Sequence, residues 1–156
     1  MIPLTIGIIG AGRIGKFHAD NLLKHVKGAK LKTVTDSYLD DEWASTRNIP
    51  VFDKDHRIML DDTEIDAVLI CSPSPQHAQQ IIECAQVGKH IFCEKPIALD
   101  PEVIRNSLSE VEKGEVKLQV GFNRRFDPSF ASVREKVSSG ALGDPFVIRI
   151  TSRDPA

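Results

Sequence analysis

The feature that most constrains this chain lies near its start, where an apolar run leads directly into a glycine-rich turn. Residues 6–9 read IGII, residues 10–15 read GAGRIG, and an amphipathic helical pattern follows. A strand, a turn and a helix with glycines at this spacing are typical of dinucleotide-binding folds. We expect Gly10 to permit the tight turn, Gly12 to leave room for a pyrophosphate, and Gly15 to let helix and strand approach closely.

The same unit predicts which dinucleotide binds. The free N–H groups at the helix start and the helix dipole favour binding of the cofactor phosphates. Arg13 and Ile14 are among the residues at this helix start. Asp36 ends the second predicted strand, about twenty residues after Gly15. A carboxylate there accepts hydrogen bonds from the adenosine ribose hydroxyls and repels a 2′-phosphate, which predicts NAD rather than NADP. A helix N-cap is a compatible second role for Asp36.

Apolar runs alternate with helical patterns along the rest of the chain, which predicts an α/β fold, a Rossmann-type doubly wound parallel sheet. Between the second and fourth strands, the pattern predicts only short elements: a helix near Leu39–Arg47, a strand at Val51-Phe52 and a helix near His56–Leu60. Asp100 is the expected N-cap of a later helix. The main predicted strands are Leu4–Ile9, Leu31–Val34, Ala67–Cys71, His90–Cys93 and Leu118–Phe122.

The final residues predict a second domain. A last helix around Phe130–Val137 ends near Gly140, and an alternating pattern then predicts a strand from Phe146 to Ile150. That strand has no sheet of its own to join, so we expect a truncated C-terminal substrate domain. The predicted boundaries are 1–122 for an NAD(P)-binding Rossmann domain and 123–156 for the crossover helix and first strand of the substrate domain.

Composition excludes several classes of protein. Lys plus Arg number 20 and Asp plus Glu number 22. The chain therefore lacks the excess of positive charge typical of proteins that bind nucleic acid or an anionic membrane. No apolar run approaches membrane-spanning length, and the start of the chain does not resemble a signal peptide. The 3 cysteines have no metal-ligand spacing, so we expect no metal and mostly buried, reduced thiols in a cytoplasmic protein.

Two further motifs follow the fourth and fifth predicted strands, at the edge where doubly wound sheets bind ligands. The first is Ser72-Pro73 with His77, and the second is Glu94-Lys95-Pro96. With the glycine-rich turn, this ordered set resembles the Gfo/Idh/MocA oxidoreductase family over nearly the whole chain. The resemblance implies that Ser72, Pro73, His77, Glu94 and Lys95 contribute to the cofactor site, and it implies a cis peptide bond before Pro96.

The resemblance also implies the chemistry. In the family, the lysine of the Glu-Lys-Pro motif reaches the nicotinamide and hydrogen-bonds the reacting hydroxyl, a role that falls on Lys95. A positioned ammonium would also stabilise developing alkoxide on general grounds. His18, on the apolar face of the first helix, is interpreted as a packing residue.

The segments 121–128 and 150–156 are similar to those of inositol 2-dehydrogenases within the family. This similarity implies a polyol substrate, myo-inositol oxidised to its 2-keto product, with Arg125 contacting cofactor and polyol and Arg124 making structural contacts. The family's proton-accepting histidine lies in a second domain, so we expect this chain alone to be inactive and the full-length form to be a homodimer or homotetramer. A stand-alone NAD-binding module and a sugar dehydrogenase of the same family stay open as alternatives.

Overall fold

The structure, a computed structural model, describes residues 3–38, 40–151 and 153. These residues form two compact units, one ending at Gly121 and the other beginning at Phe122. The first contains the whole sheet and the predicted cofactor motifs. The second contains a short 3₁₀ turn, Asn123–Arg125, and one helix.

The first unit is built on a six-stranded sheet in the order β3-β2-β1-β4-β5-β6. Every neighbouring pair of strands is parallel. The winding reverses between β1 and β4, and in such sheets the ligand crevice lies at that point, beyond the carboxyl ends of the strands. The strands are β1 Leu4–Ile9, β2 Ala29–Thr35, β3 Val51–Asp53, β4 Ala67–Ile70, β5 His90–Glu94 and β6 Leu118–Gly121.

Six α-helices accompany these strands in the described residues. As predicted, the Asp100 side chain caps a helix, accepting a hydrogen bond from the Glu102 N–H. Asp127 caps the helix of the second unit in the same way, through the N–H groups of Ser129 and Phe130. The helices are α1 Arg13–Lys24, α2 Asp41–Thr46, α3 Arg57–Leu60, α4 Ser74–Gln86, α5 Pro101–Lys113 and α6 Pro128–Ser138.

The sheet separates two hydrophobic clusters because successive side chains of a strand point to opposite faces. Ile8 packs in a cluster that includes residues of α1 and α2, such as Ala19 and Trp43. Ile9 packs in the other, with residues of α3, α4 and α5, such as Ile81. A central strand covered on both faces must be apolar throughout, which explains the continuous run that predicted it.

The predicted doubly wound sheet is confirmed, with shifts of one or two residues at the strand ends. Only one predicted strand is wrong: residues 146–150 form no strand in the described structure. A strand needs a neighbour for its backbone hydrogen bonds, and the described part of the second unit offers none. The short helix expected near Leu39–Arg47 forms at Asp41–Thr46, while Leu39 lies outside the described residues.

The cysteines are free, as expected, with Cys84 and Cys93 buried and Cys71 half-buried. Burial raises the pKa of each thiol to about 12, with the Glu94 carboxylate adding to the effect at Cys71 and Cys93. Within the described ranges, no three His, Cys, Asp or Glu side chains are grouped to hold a metal ion. No helix of the described chain has the length and apolar character needed to span a bilayer.

Candidate cofactor and catalytic site

The glycine-rich loop connects β1 to α1 through contacts that leave no room for side chains. Gly10 has a φ of +94°, and a Cβ on it would lie 2.6 Å from the Ser72 backbone nitrogen. A Cβ on Gly15 would lie 1.8 Å from the Gly10 carbonyl oxygen. Both glycines are therefore required by the fold itself, because a methyl group would collide with backbone that cannot rotate away.

Gly12 is different, because a Cβ there would meet no protein atom within 4 Å. It occupies the N-cap position of α1, and no side chain caps this end of the helix. Arg13 and Ile14 follow it at the helix start, both with exposed side chains. An open cradle at an uncapped helix N-terminus fits the pyrophosphate of a dinucleotide, because the first N–H groups have no partners inside the helix.

Asp36 follows β2 and faces this loop. Its Oδ2 accepts a hydrogen bond from the Ala11 N–H at 2.6 Å, and its Oδ1 accepts one from the Tyr38 N–H at 2.8 Å. The carboxylate thus fixes the loop while each oxygen keeps further acceptor capacity. This geometry fits the predicted role of holding adenosine ribose hydroxyls.

A cleft of about 400 Å³ opens beside Asp36. At its edge Lys16 forms an ion pair with Asp40, which lowers the pKa of that carboxyl group. Lys16 also lies 5.2 Å from the centre of the Trp43 ring. The other lining residues that bear on cofactor choice are Ser37, Tyr38, Lys54, His56, Ser72 and Pro73. Lys54 adds a cation to a lining that also holds the Asp36 and Asp40 carboxylates, and a cation there suits the phosphates of a cofactor.

The turn after β4 is held from beneath by two buried side chains of α4. The Ser72 hydroxyl donates to Gln80 Oε1 at 2.5 Å. The His77 ring is only 1% exposed, and its Nε2 lies 2.7 Å from the Ser72 carbonyl oxygen. Its Nδ1 lies 2.7 Å from the carbonyl oxygen of Pro96. With both ring nitrogens engaged by backbone, His77 supports the two turns rather than offering a nitrogen to a cofactor.

The Glu-Lys-Pro turn ends β5. The peptide bond between Lys95 and Pro96 is cis, as the family resemblance implied. Glu94 Oε1 accepts a hydrogen bond from His18 Nε2 at 2.8 Å, while the Lys95 side chain is exposed. The packing interpretation of His18 is therefore incomplete: its ring does contact Phe92 edge-on at 5.3 Å, but it also holds Glu94.

Arg125, the arginine expected to contact substrate, belongs to the second unit, as does its neighbour Arg124. Arg125 lies in the short 3₁₀ turn and is exposed. Arg124 lies 5.0 Å from the centre of the Phe130 ring, a structural contact of the kind predicted for it. The substrate role of Arg125 stays a prediction.

Residues 4–122 match the Gfo/Idh/MocA oxidoreductase family, which has an NAD-binding Rossmann fold. The chain belongs to this family. It is 42% identical over 155 residues to myo-inositol 2-dehydrogenase of Thermotoga maritima, covering 98% of this chain and 46% of that protein. It is 38% identical over 149 residues to the NAD⁺-dependent scyllo-inositol 2-dehydrogenase of Bacillus subtilis, covering 94% of this chain and 44% of that one.

A solved structure shares the fold. The scyllo-inositol dehydrogenase of Lactobacillus casei, crystallised with NAD(H) and scyllo-inositol, superposes with a TM-score of 0.86 at 38% identity. The match covers 91% of this chain and 43% of that one. The chain therefore spans less than half the length of these relatives. The cofactor of this domain is NAD.

Sequence reasoning missed three contributors to this site. Lys16 and Gln80 lie within helices whose patterns signalled only amphipathicity, so their contacts with Asp40 and Ser72 had no local signal. The contact between His18 and Glu94 joins positions 76 residues apart and depends on the sheet order. The one available signal was a polar residue on the apolar face of α1, which requires a buried partner.

Two alanine substitutions in the loop should separate cofactor binding from folding. Gly12→Ala adds a methyl group that meets no protein atom, so the free energy of unfolding should change by no more than about 1 kcal/mol. The same methyl group would occupy the pyrophosphate cradle, so NAD binding by calorimetry should fall below detection. Gly15→Ala should lower stability by about 2 kcal/mol despite the better helix propensity of alanine. Normal NAD affinity in Gly12→Ala would contradict the assigned cradle.

Asp36 should determine cofactor choice. The unmodified chain should bind NAD(H) more tightly than NADP(H), because the Asp36 carboxylate repels a 2′-phosphate. Asp36→Ala should weaken NAD binding and reduce the preference for NAD(H) over NADP(H). The 2′-phosphate would then meet no Asp36 carboxylate, and the cation of Lys54 also lines the cleft. Asp36→Asn, which keeps the shape and loses the charge, should recover part of the NAD affinity but little of the discrimination. Equal or tighter NADP binding by the unmodified chain in calorimetric titrations would refute the assignment.

Proposed function

We propose that the complete protein is an NAD-dependent dehydrogenase that oxidises one secondary hydroxyl group of an inositol to a ketone. The observation that supports this proposal most directly is the position of Lys95. Its exposed side chain follows β5 at the carboxyl edge of the sheet, the edge where β1 enters the phosphate loop. Both neighbours are held by other elements, Glu94 by His18 and the Pro96 carbonyl by His77.

In this arrangement the residues on both sides of Lys95 are held in place, while its side chain is exposed. On one side the Glu94 carboxylate is tied to α1, and on the other the Pro96 carbonyl is tied to α4. The ammonium group can reach toward a ligand above the sheet. An ammonium aimed at a hydroxyl oxygen stabilises the negative charge that develops there as its proton leaves. Bound NAD⁺ supplies the hydride acceptor for the carbon that is oxidised. We assign the donation of a hydrogen bond to the reacting oxygen to Lys95 Nζ.

The substrate class rests on the relatives. Two of them are named for the oxidation of myo-inositol and of scyllo-inositol, and both are matched over almost the whole of this chain. Myo-inositol oxidised at carbon 2 is the reaction we favour, with Arg125 as a substrate contact. These two substrates differ only in the configuration of one hydroxyl group, so side-by-side kinetics with both would identify the preferred isomer.

A non-catalytic NAD-binding module is the second candidate. The complete phosphate loop and Asp36 suit either candidate, because both bind the cofactor. An exposed lysine between two anchored neighbours favours the dehydrogenase, since a binding module gains nothing from an ammonium beside the nicotinamide. A sugar dehydrogenase of the same family would share every feature of this domain, and only substrate assays on the complete protein separate it from an inositol enzyme.

In the complete protein, Lys95→Met should lower the turnover number by about a hundredfold or more while NAD affinity changes little. Methionine keeps the length of the side chain but removes the charge and the N–H donors, and one such electrostatic contact commonly contributes this much. Because the contact strengthens as charge develops, its loss should affect turnover more than binding. Steady-state kinetics with saturating inositol and NAD⁺ would measure it.

Lys117→Met is the matched control. Lys117 is an exposed lysine immediately before β6, at the amino ends of the strands, whereas Lys95 lies at their carboxyl ends. It should leave turnover and NAD affinity unchanged. A Lys95→Met enzyme with near-normal turnover and a raised NAD dissociation constant would make Lys95 a cofactor clamp and would refute its catalytic role.

Residues 1–156 expressed on their own should bind NAD yet reduce it negligibly with myo-inositol or scyllo-inositol. By family resemblance, the proton acceptor and most substrate contacts belong to the substrate domain. General base help alone contributes about a hundred- to ten-thousand-fold in rate, and loss of substrate positioning removes more. Calorimetry for NAD and absorbance for NADH test both statements, and a saturable rate from these residues alone would contradict the second.

A further inference from the structure

The buried imidazole of His77 has an unusual pair of neighbours. Nδ1 faces the Pro96 carbonyl oxygen and Nε2 faces the Ser72 carbonyl oxygen, each at 2.7 Å. Carbonyl oxygens only accept hydrogen bonds, so each short contact requires an N–H on the ring. A neutral imidazole carries one N–H, and only the imidazolium carries two.

The distances favour two real hydrogen bonds. N–H···O hydrogen bonds in proteins have nitrogen–oxygen separations of about 2.7–3.2 Å. Both contacts of His77 lie within this range. A bare ring nitrogen at that distance from a carbonyl oxygen would instead bring two lone pairs together, which is a repulsive contact.

Burial and position act against a charge here. The ring is 1% exposed and lies in the first turn of α4, where the helix dipole disfavours a cation. The two carbonyl oxygens must offset both effects, which is possible because hydrogen bonds from a charged donor are about twice as strong as neutral ones. A buried cation held by two acceptors then becomes a stiff connection between them.

We propose that His77 carries protons on both ring nitrogens and is a cationic bridge that locks the turn at Ser72 to the turn at Lys95-Pro96. It is a positioning residue, acting on the ligand through the two turns it joins. The bridge joins the turn after β4, which lines the cleft beside Gly10 and Asp36, to the turn after β5, which carries Lys95. Its expected effect is therefore greatest on a ligand long enough to reach both turns, as NAD is, and its effect on Lys95 chemistry rests on the proposed function.

His90 supplies an internal reference for the proton count. Its Nδ1 accepts a hydrogen bond from the Lys117 N–H at 3.1 Å, so this nitrogen carries no proton in that contact. The chain therefore contains one histidine whose partners require two ring protons and one whose partner requires a bare nitrogen. Both lie in the first unit, so a single sample compares them under identical conditions.

Ring nitrogen-15 NMR of the unmodified chain at neutral pH tests the proton count directly. His77 should show two protonated ring nitrogens with slowly exchanging protons, while His90 should show one unprotonated Nδ1. Each resonance is assigned by its disappearance from the spectrum of the variant that lacks that histidine, His77→Gln or His90→Asn. A His77 ring with one unprotonated nitrogen overturns the proposal. This experiment is independent of activity, so it also separates this proposal from failure of the proposed function.

The positioning role is tested by affinity for two ligands. His77→Gln removes the charge and leaves at most one amide donor group, so NAD should bind at least about tenfold more weakly, the cost typical of losing a hydrogen bond to a charged group. AMP, which lacks the nicotinamide half and so reaches only one of the two turns, should lose less affinity than NAD does. His90→Asn, which keeps the acceptor at the Nδ1 position, should change neither. Equal losses for NAD and AMP, or no loss, would refute the positioning role.

Discussion

Backbone packed on backbone, with no side chain between, is the constraint on which this site depends. Gly10 passes beside the backbone of Ser72, and Gly15 brings α1 against the Gly10 carbonyl. These contacts set the distance between the end of β1 and the turn after β4. The crevice at this point of the sheet therefore has one wall made by the phosphate loop and the other by the Ser72 turn, before any ligand contact is considered.

From that crevice outward, the turns of the site are tied together by side-chain contacts within the protein. Asp36 holds the loop through Ala11, and His77 holds the Ser72 turn to the Pro96 carbonyl. His18 holds Glu94. Each tie joins a ligand-bearing turn to another element, which reduces the motion of the turns and so the entropy lost when a ligand binds.

The sequence predicted the sheet well, because a central parallel strand is buried on both faces and must be apolar, and glycine is the only residue that fits at Gly10 and Gly15. It placed Asp36, Ser72 and Lys95 at the correct edge for the same reason. It did not predict that His77 faces two carbonyl groups or that His18 meets Glu94, since those contacts depend on which strands are neighbours. The strand expected at residues 146–150 failed because local pattern cannot supply a partner strand.

The two histidines approach the Glu-Lys-Pro turn from opposite faces of the sheet. His18 comes from α1, which packs with Ile8, and His77 comes from α4, which packs with Ile9. One fixes the residue before Lys95 and the other the residue after it. A lysine side chain has considerable rotamer freedom, and ordering it is costly. With both flanking residues held, ligand binding has to order only the side chain and not the turn as well, which is a physical reason for an exposed lysine to retain a reproducible reach over the sheet edge.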